Sequence, residues 1–197
     1  MISKNLKKRI YTSLILLILF FIIFRFNSIL VFSLIILSVL SLLEFLNMSN
    51  KIIKNKLYFI ISNTLFSLYI FLFSFIFFYF SNFLQLKILI FCILFGCIAS
   101  DIGGFIFGKL FKGPKLTKIS PNKTFSGAIG SFIFTGIAMS GSIFYFTNNY
   151  SYKIILIAVI TSLSCQIGDL FFSFLKRKAK LKDTGNFLPG HGGVLDR

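Results

Sequence analysis

"LYFIISNTLFSLYIFLFSFIFFYF", residues 57–80, decides the fold class. It contains no charged residue, and its few polar positions do not alternate with apolar ones. A helix of this length rises about 36 Å, more than a hydrocarbon core of roughly 30 Å. A membrane strand would instead show period-two alternation over about ten residues. Lipid offers no water to the backbone, so an isolated run of this kind must close its hydrogen bonds within itself, as a helix.

Five more runs share this character, at 10–24, 29–48, 88–107, 127–146 and 154–175. Hydrophobic residues make up 56% of the 197 positions, and 29 of them are Phe, far beyond the usage of a water-soluble domain. The chain therefore reads as an all-α polytopic integral membrane protein with six spans. It forms a single membrane-embedded domain, in which residues 1–86 are hydrophobic helices and residues 87–197 carry the motifs. The first span follows "SKNLKKR" but has Arg25 where a small-residue cleavage site would stand, so it is expected to be an uncleaved anchor.

Short loops rich in Lys and Arg stay on the cytoplasmic side. With both termini inside, 18 of the 21 basic residues fall inside, and only Arg25, Lys87 and Lys153 fall outside. The net charge of +16 is thus distributed over loops that flank spans, which argues against a nucleic-acid-binding face and for a multi-pass topology. Cys92, Cys97 and Cys165 lie within spans without a paired spacing, so no zinc site or disulfide framework is expected.

The acids are only five: Glu44, Asp101, Asp169, Asp183 and Asp196. Asp101 and Asp169 fall within or at the ends of apolar runs, where an ionisable group costs at least about 2.5 kcal/mol and marks a functional site. Glu44, near the end of its span, is expected to reach the interface in a structural role. Ser162, Gln166, Asp169, Ser173 and Lys176 follow one another at steps of four and three, so they share one helical face that ends in basic residues. Interhelical hydrogen bonding alone would also explain such a face.

Gly96, Ser100, Gly104 and Gly108 recur every fourth residue, a small-residue seam that lets another helix come close. "GGFIFGK" (103–109) imitates the start of a phosphate-binding loop. However, Leu110 replaces the hydroxyl residue that would hold Mg²⁺, and the segment continues a span. In "KISPNKTFSGAIG" (118–130), Ser120 and Pro121 break the chain, Thr124 or Ser126 can cap the next helix, and Lys123 stands beside its N-terminus.

The tail, "SFLKRKAKLKDTGNFLPGHGGVLDR" (173–197), combines cations, carboxylates, one His and Gly-rich turns, a set suited to triphosphate chemistry. It resembles the signature of the phosphatidate cytidylyltransferases, also called CDP-diacylglycerol synthases. The matching residues are Ser173, Lys176, Arg177, Lys182, Asp183, His191, Gly192, Gly193, Asp196 and Arg197. Gln166, Gly168 and Asp169 match a further element of that family, as do Asp101, Ser120, Pro121, Lys123 and Thr124. Ser126 stands where the family often has Glu, and the family pattern continues beyond Arg197, so a C-terminally truncated form is expected.

The resemblance implies transfer of CMP from CTP to phosphatidic acid in phospholipid biosynthesis, giving CDP-diacylglycerol and pyrophosphate. It implies Mg²⁺ on Asp169 and Asp196, with a second cation left open. Lys176, Arg177 and His191 join those acids as catalytic residues. Substrate contacts fall to Lys123, Ser120, Thr124, Ser173, Lys182, Asp183, Gly192, Gly193, Arg197 and Asp101. CTP, phosphatidic acid and the bilayer are the expected partners, a homodimer is left open, and no nucleic acid is expected. The alternatives are a cation-binding transporter and an inactive remnant. The transporter would explain Asp101 and Asp169 but not the ordered tail.

Overall fold

A computed structural model describes residues 4–117, 120, 123–185, 187 and 192–196, with only the backbone described for 4–10. Among these residues there are six helices and no strands: α1 (Lys4–Arg25), α2 (Asn27–Ile52), α3 (Lys56–Ser81), α4 (Leu84–Phe111), α5 (Phe125–Thr147) and α6 (Tyr152–Lys178). Each contains one expected span and overruns it. Helical hydrogen bonding continues past the apolar run, because the flanking Lys, Asn and Ser residues can be helical while reaching polar surroundings.

Helices α2 to α6 are each long and apolar enough to cross a membrane, and α1 contributes a shorter apolar stretch, Tyr11–Arg25. Large apolar side chains such as Phe71, Ile137 and Leu156 lie exposed along the spans. That surface would be untenable in water and suits lipid. The protein is a polytopic helical membrane protein.

The chain divides into two compact units. The terminal unit comprises Met1–Asn82 and Leu175–Arg197, and the central unit Phe83–Phe174. The motif-bearing tail is thus grouped with the N-terminal helices. In the terminal unit, α2 packs on α3 through stacked rings of Phe45 and Phe66, 3.9 Å apart. Two hydrogen bonds reinforce that pair: Ser38 to Ser74 at 2.9 Å and Ser49 Oγ to Asn63 Oδ1 at 3.0 Å.

In the central unit, α4 lies along α5 with the expected seam between them. Ser131 donates to the Ser100 carbonyl at 2.8 Å, while Thr135 Oγ1 donates to the Ser131 carbonyl of its own helix at 2.7 Å and lies 3.4 Å from the Gly96 carbonyl. The closest approach is at Gly103, where a β-carbon would lie 2.5 Å from the Gly130 carbonyl oxygen. Cys92, Met139, Ile143, Ile154 and Ala158 form a buried cluster that joins α6 to the pair. The stretch 103–109 is helical throughout, so it does not form a phosphate-binding loop.

Because backbone and Phe134 both block the space beside Gly103, Gly103→Ala is expected to destabilise the central unit by ~1–3 kcal/mol. Gly136→Ala, which meets nothing within 4 Å, serves as the control. Thermal unfolding in detergent checks both, and equal midpoints would refute the packing argument.

Candidate active site

Two clusters of sequence-predicted residues form, one in each unit. In the central unit, the turn before α5 holds Lys123 in place. Leu116 N–H donates to the Lys123 carbonyl at 2.7 Å, Lys123 N–H to the Ser120 carbonyl at 3.1 Å, and Phe125 N–H to the Pro114 carbonyl at 3.0 Å. Thr124 is the cap of α5, with its hydroxyl accepting from Gly127 N–H at 3.1 Å, while Ser126 hydrogen-bonds the same hydroxyl at 3.0 Å. The cap leaves Lys123 just outside the positive end of the helix dipole.

Lys123 forms an ion pair with Asp169 of α6. The pair edges a cavity of about 170 Å³ whose polar lining includes Ser100, Asp101, Thr124 and Gln166. Gln166 Nε2 donates to Ser162 Oγ at 3.2 Å and reaches the Ala128 carbonyl at 3.5 Å, tying α6 to α5. The Lys123 and Asp169 side chains are 26% and 51% exposed, so neither group is enclosed by the protein.

The second cluster is in the terminal unit. Helix α6 ends in a Schellman turn: Lys180 is left-handed at φ 55°, Lys180 N–H bonds the Arg177 carbonyl at 3.1 Å and Leu181 N–H bonds the Lys176 carbonyl at 2.9 Å. The tail then turns back onto Asp196. Its Oδ1 accepts from Lys176 Nζ at 2.6 Å, and its Oδ2 from Thr184 N–H at 2.8 Å and Gly193 N–H at 2.9 Å. Gly192 has φ 89°, and a β-carbon there would lie 2.8 Å from Asp196 Oδ2, so both backbone shape and space demand glycine.

Arg177, Lys182 and Asp183 are exposed, Asp101 is exposed at the cavity, and Ser173 is half-buried. His191 and Arg197 lie outside the described residues. Glu44, expected in a structural role, is 7% exposed, with its carboxylate engaged by the tail. Its being the only acid before Asp101 was the signal available in the sequence.

Among the described residues no three His, Cys, Asp or Glu side chains gather as a metal cage. Mg²⁺ does not need one, since it keeps several waters and takes one or two carboxylates plus substrate phosphates. The half-exposed Asp169 beside a cavity with oxygen donors fits that habit. Asp196 fits it less readily, because Lys176 already holds Oδ1.

A family model, that of the Cytidylyltransferase family, matches residues 52–197. The chain belongs to the cytidylyltransferase family. Apart from Glu44, both clusters lie inside the match. The chain is 44% identical over 109 residues to the phosphatidate cytidylyltransferase of Helicobacter pylori, covering 51% of this chain and 38% of that protein. The protein of that name from Rickettsia felis is 47% identical over 114 residues (53% and 50%), and that from Mycobacterium leprae 38% over 109 residues (55% and 35%). The chain thus spans about half or less of the length of the curated relatives it matches.

The Asp196 carboxyl sits below the usual carboxylate range: burial pushes it up, but hydrogen bonds from Lys176, Gly193 and Thr184 outweigh that. A depressed folded-state pKa gives stability that is present above the unfolded value and lost as pH falls through the folded one. The stability advantage of wild type over Asp196→Asn is therefore expected at neutral pH and should vanish at acid pH below the ordinary carboxylate range. Unfolding midpoints of the two proteins across pH check this, and a difference that grows on acidification would refute it.

Proposed function

We propose that this chain transfers CMP from CTP to phosphatidic acid, yielding CDP-diacylglycerol and pyrophosphate in a Mg²⁺-dependent reaction. The observation that carries the reading is the Lys123–Asp169 pair at the mouth of a polar cavity, at the start of a capped helix. The family membership and the names of the relatives agree with it and do not favour a cation transporter.

In this reaction a phosphate oxygen of phosphatidic acid attacks the α-phosphorus of CTP, a P–O bond forms, and the bond to the β-phosphate breaks as pyrophosphate leaves. The attacking group is already ionised, so no general base is required. The work is alignment and charge neutralisation.

Lys123, at the N-terminus of α5, would take an anionic phosphate oxygen, with Ser120, Thr124 and Asp101 as neighbouring polar contacts. Lys176, Arg177, Lys182 and Arg197 would hold phosphates of CTP or the lipid headgroup. His191 would donate a hydrogen bond to a phosphate, Gly192 and Gly193 would let backbone N–H groups approach, and Ser173 and Asp183 would orient the tail. Asp169 would hold Mg²⁺, and Asp196 would do so through Oδ1 once Lys176 turns to phosphate. The ion would neutralise charge on the phosphates. The basic loops would face the cytoplasm of a bacterial inner membrane, where CTP is found, while the acyl chains of phosphatidic acid stay in lipid.

CDP-diacylglycerol formation from CTP and phosphatidic acid by the purified protein in detergent, with and without Mg²⁺, is the test. Asp169→Ala is expected to lower turnover ~100-fold or more. No CTP-dependent product from the wild type, or an Asp169→Ala rate equal to it, would refute the proposal.

A further inference from the structure

We propose that Glu44 of α2 is a positioning residue that seats Thr184 and the Gly193–Leu195 stretch of the tail and, through them, aligns Lys176 and Asp196. The consequence for catalysis rests on the transferase reading above. The seating does not.

The carboxylate receives three donors, all from the tail. Thr184 Oγ1 lies 2.7 Å from Oε2, Leu195 N–H 2.9 Å from Oε2, and Val194 N–H 2.8 Å from Oε1. A buried carboxylate is tolerated when donors converge on it in this way. The loop also lacks side chains where it crosses the acid. A β-carbon on Gly185 would come 2.8 Å from Oε1, and one on Gly193 2.5 Å from Oε2.

Thr184 links this acid to the other. It is buried, and its hydroxyl lies 2.7 Å from Glu44 Oε2 but 3.0 Å from Asp196 Oδ2. The hydroxyl has one proton, and Asp196 Oδ2 already receives the N–H groups of Thr184 and Gly193. The proton therefore goes to Glu44, and a chain runs from Glu44 through Thr184 to Asp196 and on to Lys176 Nζ. With its oxygens facing Thr184, Val194 and Leu195, Glu44 acts through the loop instead of on substrate.

The experiment compares wild type, Glu44→Gln, Glu44→Ala and Thr184→Val in detergent by two readouts. The first is hydrogen exchange of the amides of Val194 and Leu195, with α3 peptides as the internal reference. The second is kcat and KM for CTP in CMP transfer. Glu44→Gln, which places an NH₂ group against donors, is expected to speed exchange at those two amides at least tenfold with α3 unchanged. It should also lower kcat about 10- to 100-fold, with KM for CTP changed less than threefold, because misalignment costs the transition state more than binding.

Thr184→Val should show the same pattern at smaller size. It carries the test with Glu44→Gln if Glu44→Ala does not fold. Unchanged exchange in the Glu44 variants overturns the proposal, as does unchanged kcat in an active enzyme. If wild type shows no transfer, the transferase reading fails by itself and exchange alone decides whether Glu44 seats the loop.

Discussion

At Gly103 and Gly130 two helix backbones touch, and the cavity in the central unit depends on that contact. Lipid gives no hydrophobic gain for bringing helices together, so close packing and interhelical hydrogen bonds must drive the association. Here Ser131 donates to the Ser100 carbonyl of α4, at a position freed by the seam of small residues. The approach brings the capped start of α5 alongside Gly104 and Gly108. Lys123 and Thr124 then line one cavity with Asp101 of α4 and Asp169 of α6. A larger side chain at Gly103 would part the helices and widen the gap between the cationic and acidic walls.

Two acids of the terminal unit, Glu44 and Asp196, are held differently. Asp169 pairs with Lys123 and has half its surface open, whereas the Asp196 side chain is 5% exposed and Glu44 is buried, each accepting several donors. A carboxylate saturated in this way fixes backbone. Thr184 lies between the two saturated acids, so the loop is shaped by hydrogen bonds where a soluble domain would use an apolar core. That is consistent with a tail of lysines and glycines, which has little apolar surface to bury.

The helices were legible because a span must be apolar along its whole length, and that pattern survives in any window of about twenty residues. The seam was legible for a similar reason, since every fourth residue returns to one face of α4. The cap at Thr124 followed from local chemistry. The role of Glu44 was not legible. Its partners lie 140 to 151 positions away, and no local period reports a contact of that separation. The Lys123–Asp169 pair was half visible: each residue stood out alone, but their meeting depends on how α5 and α6 pack. The grouping of the tail with the N-terminal helices was hidden by the motifs, which run on continuously in the sequence from residue 101 to the tail.

Two of the basic residues expected to handle phosphates begin with a carboxylate already in hand, Lys123 with Asp169 and Lys176 with Asp196. Uncompensated cations at the edge of a low-dielectric region are costly. An internal counter-ion removes most of that cost, and Asp169 and Asp196 each serve one lysine in this way. The pairing gives a physical reason for two acids so scarce in the sequence to stand opposite lysines.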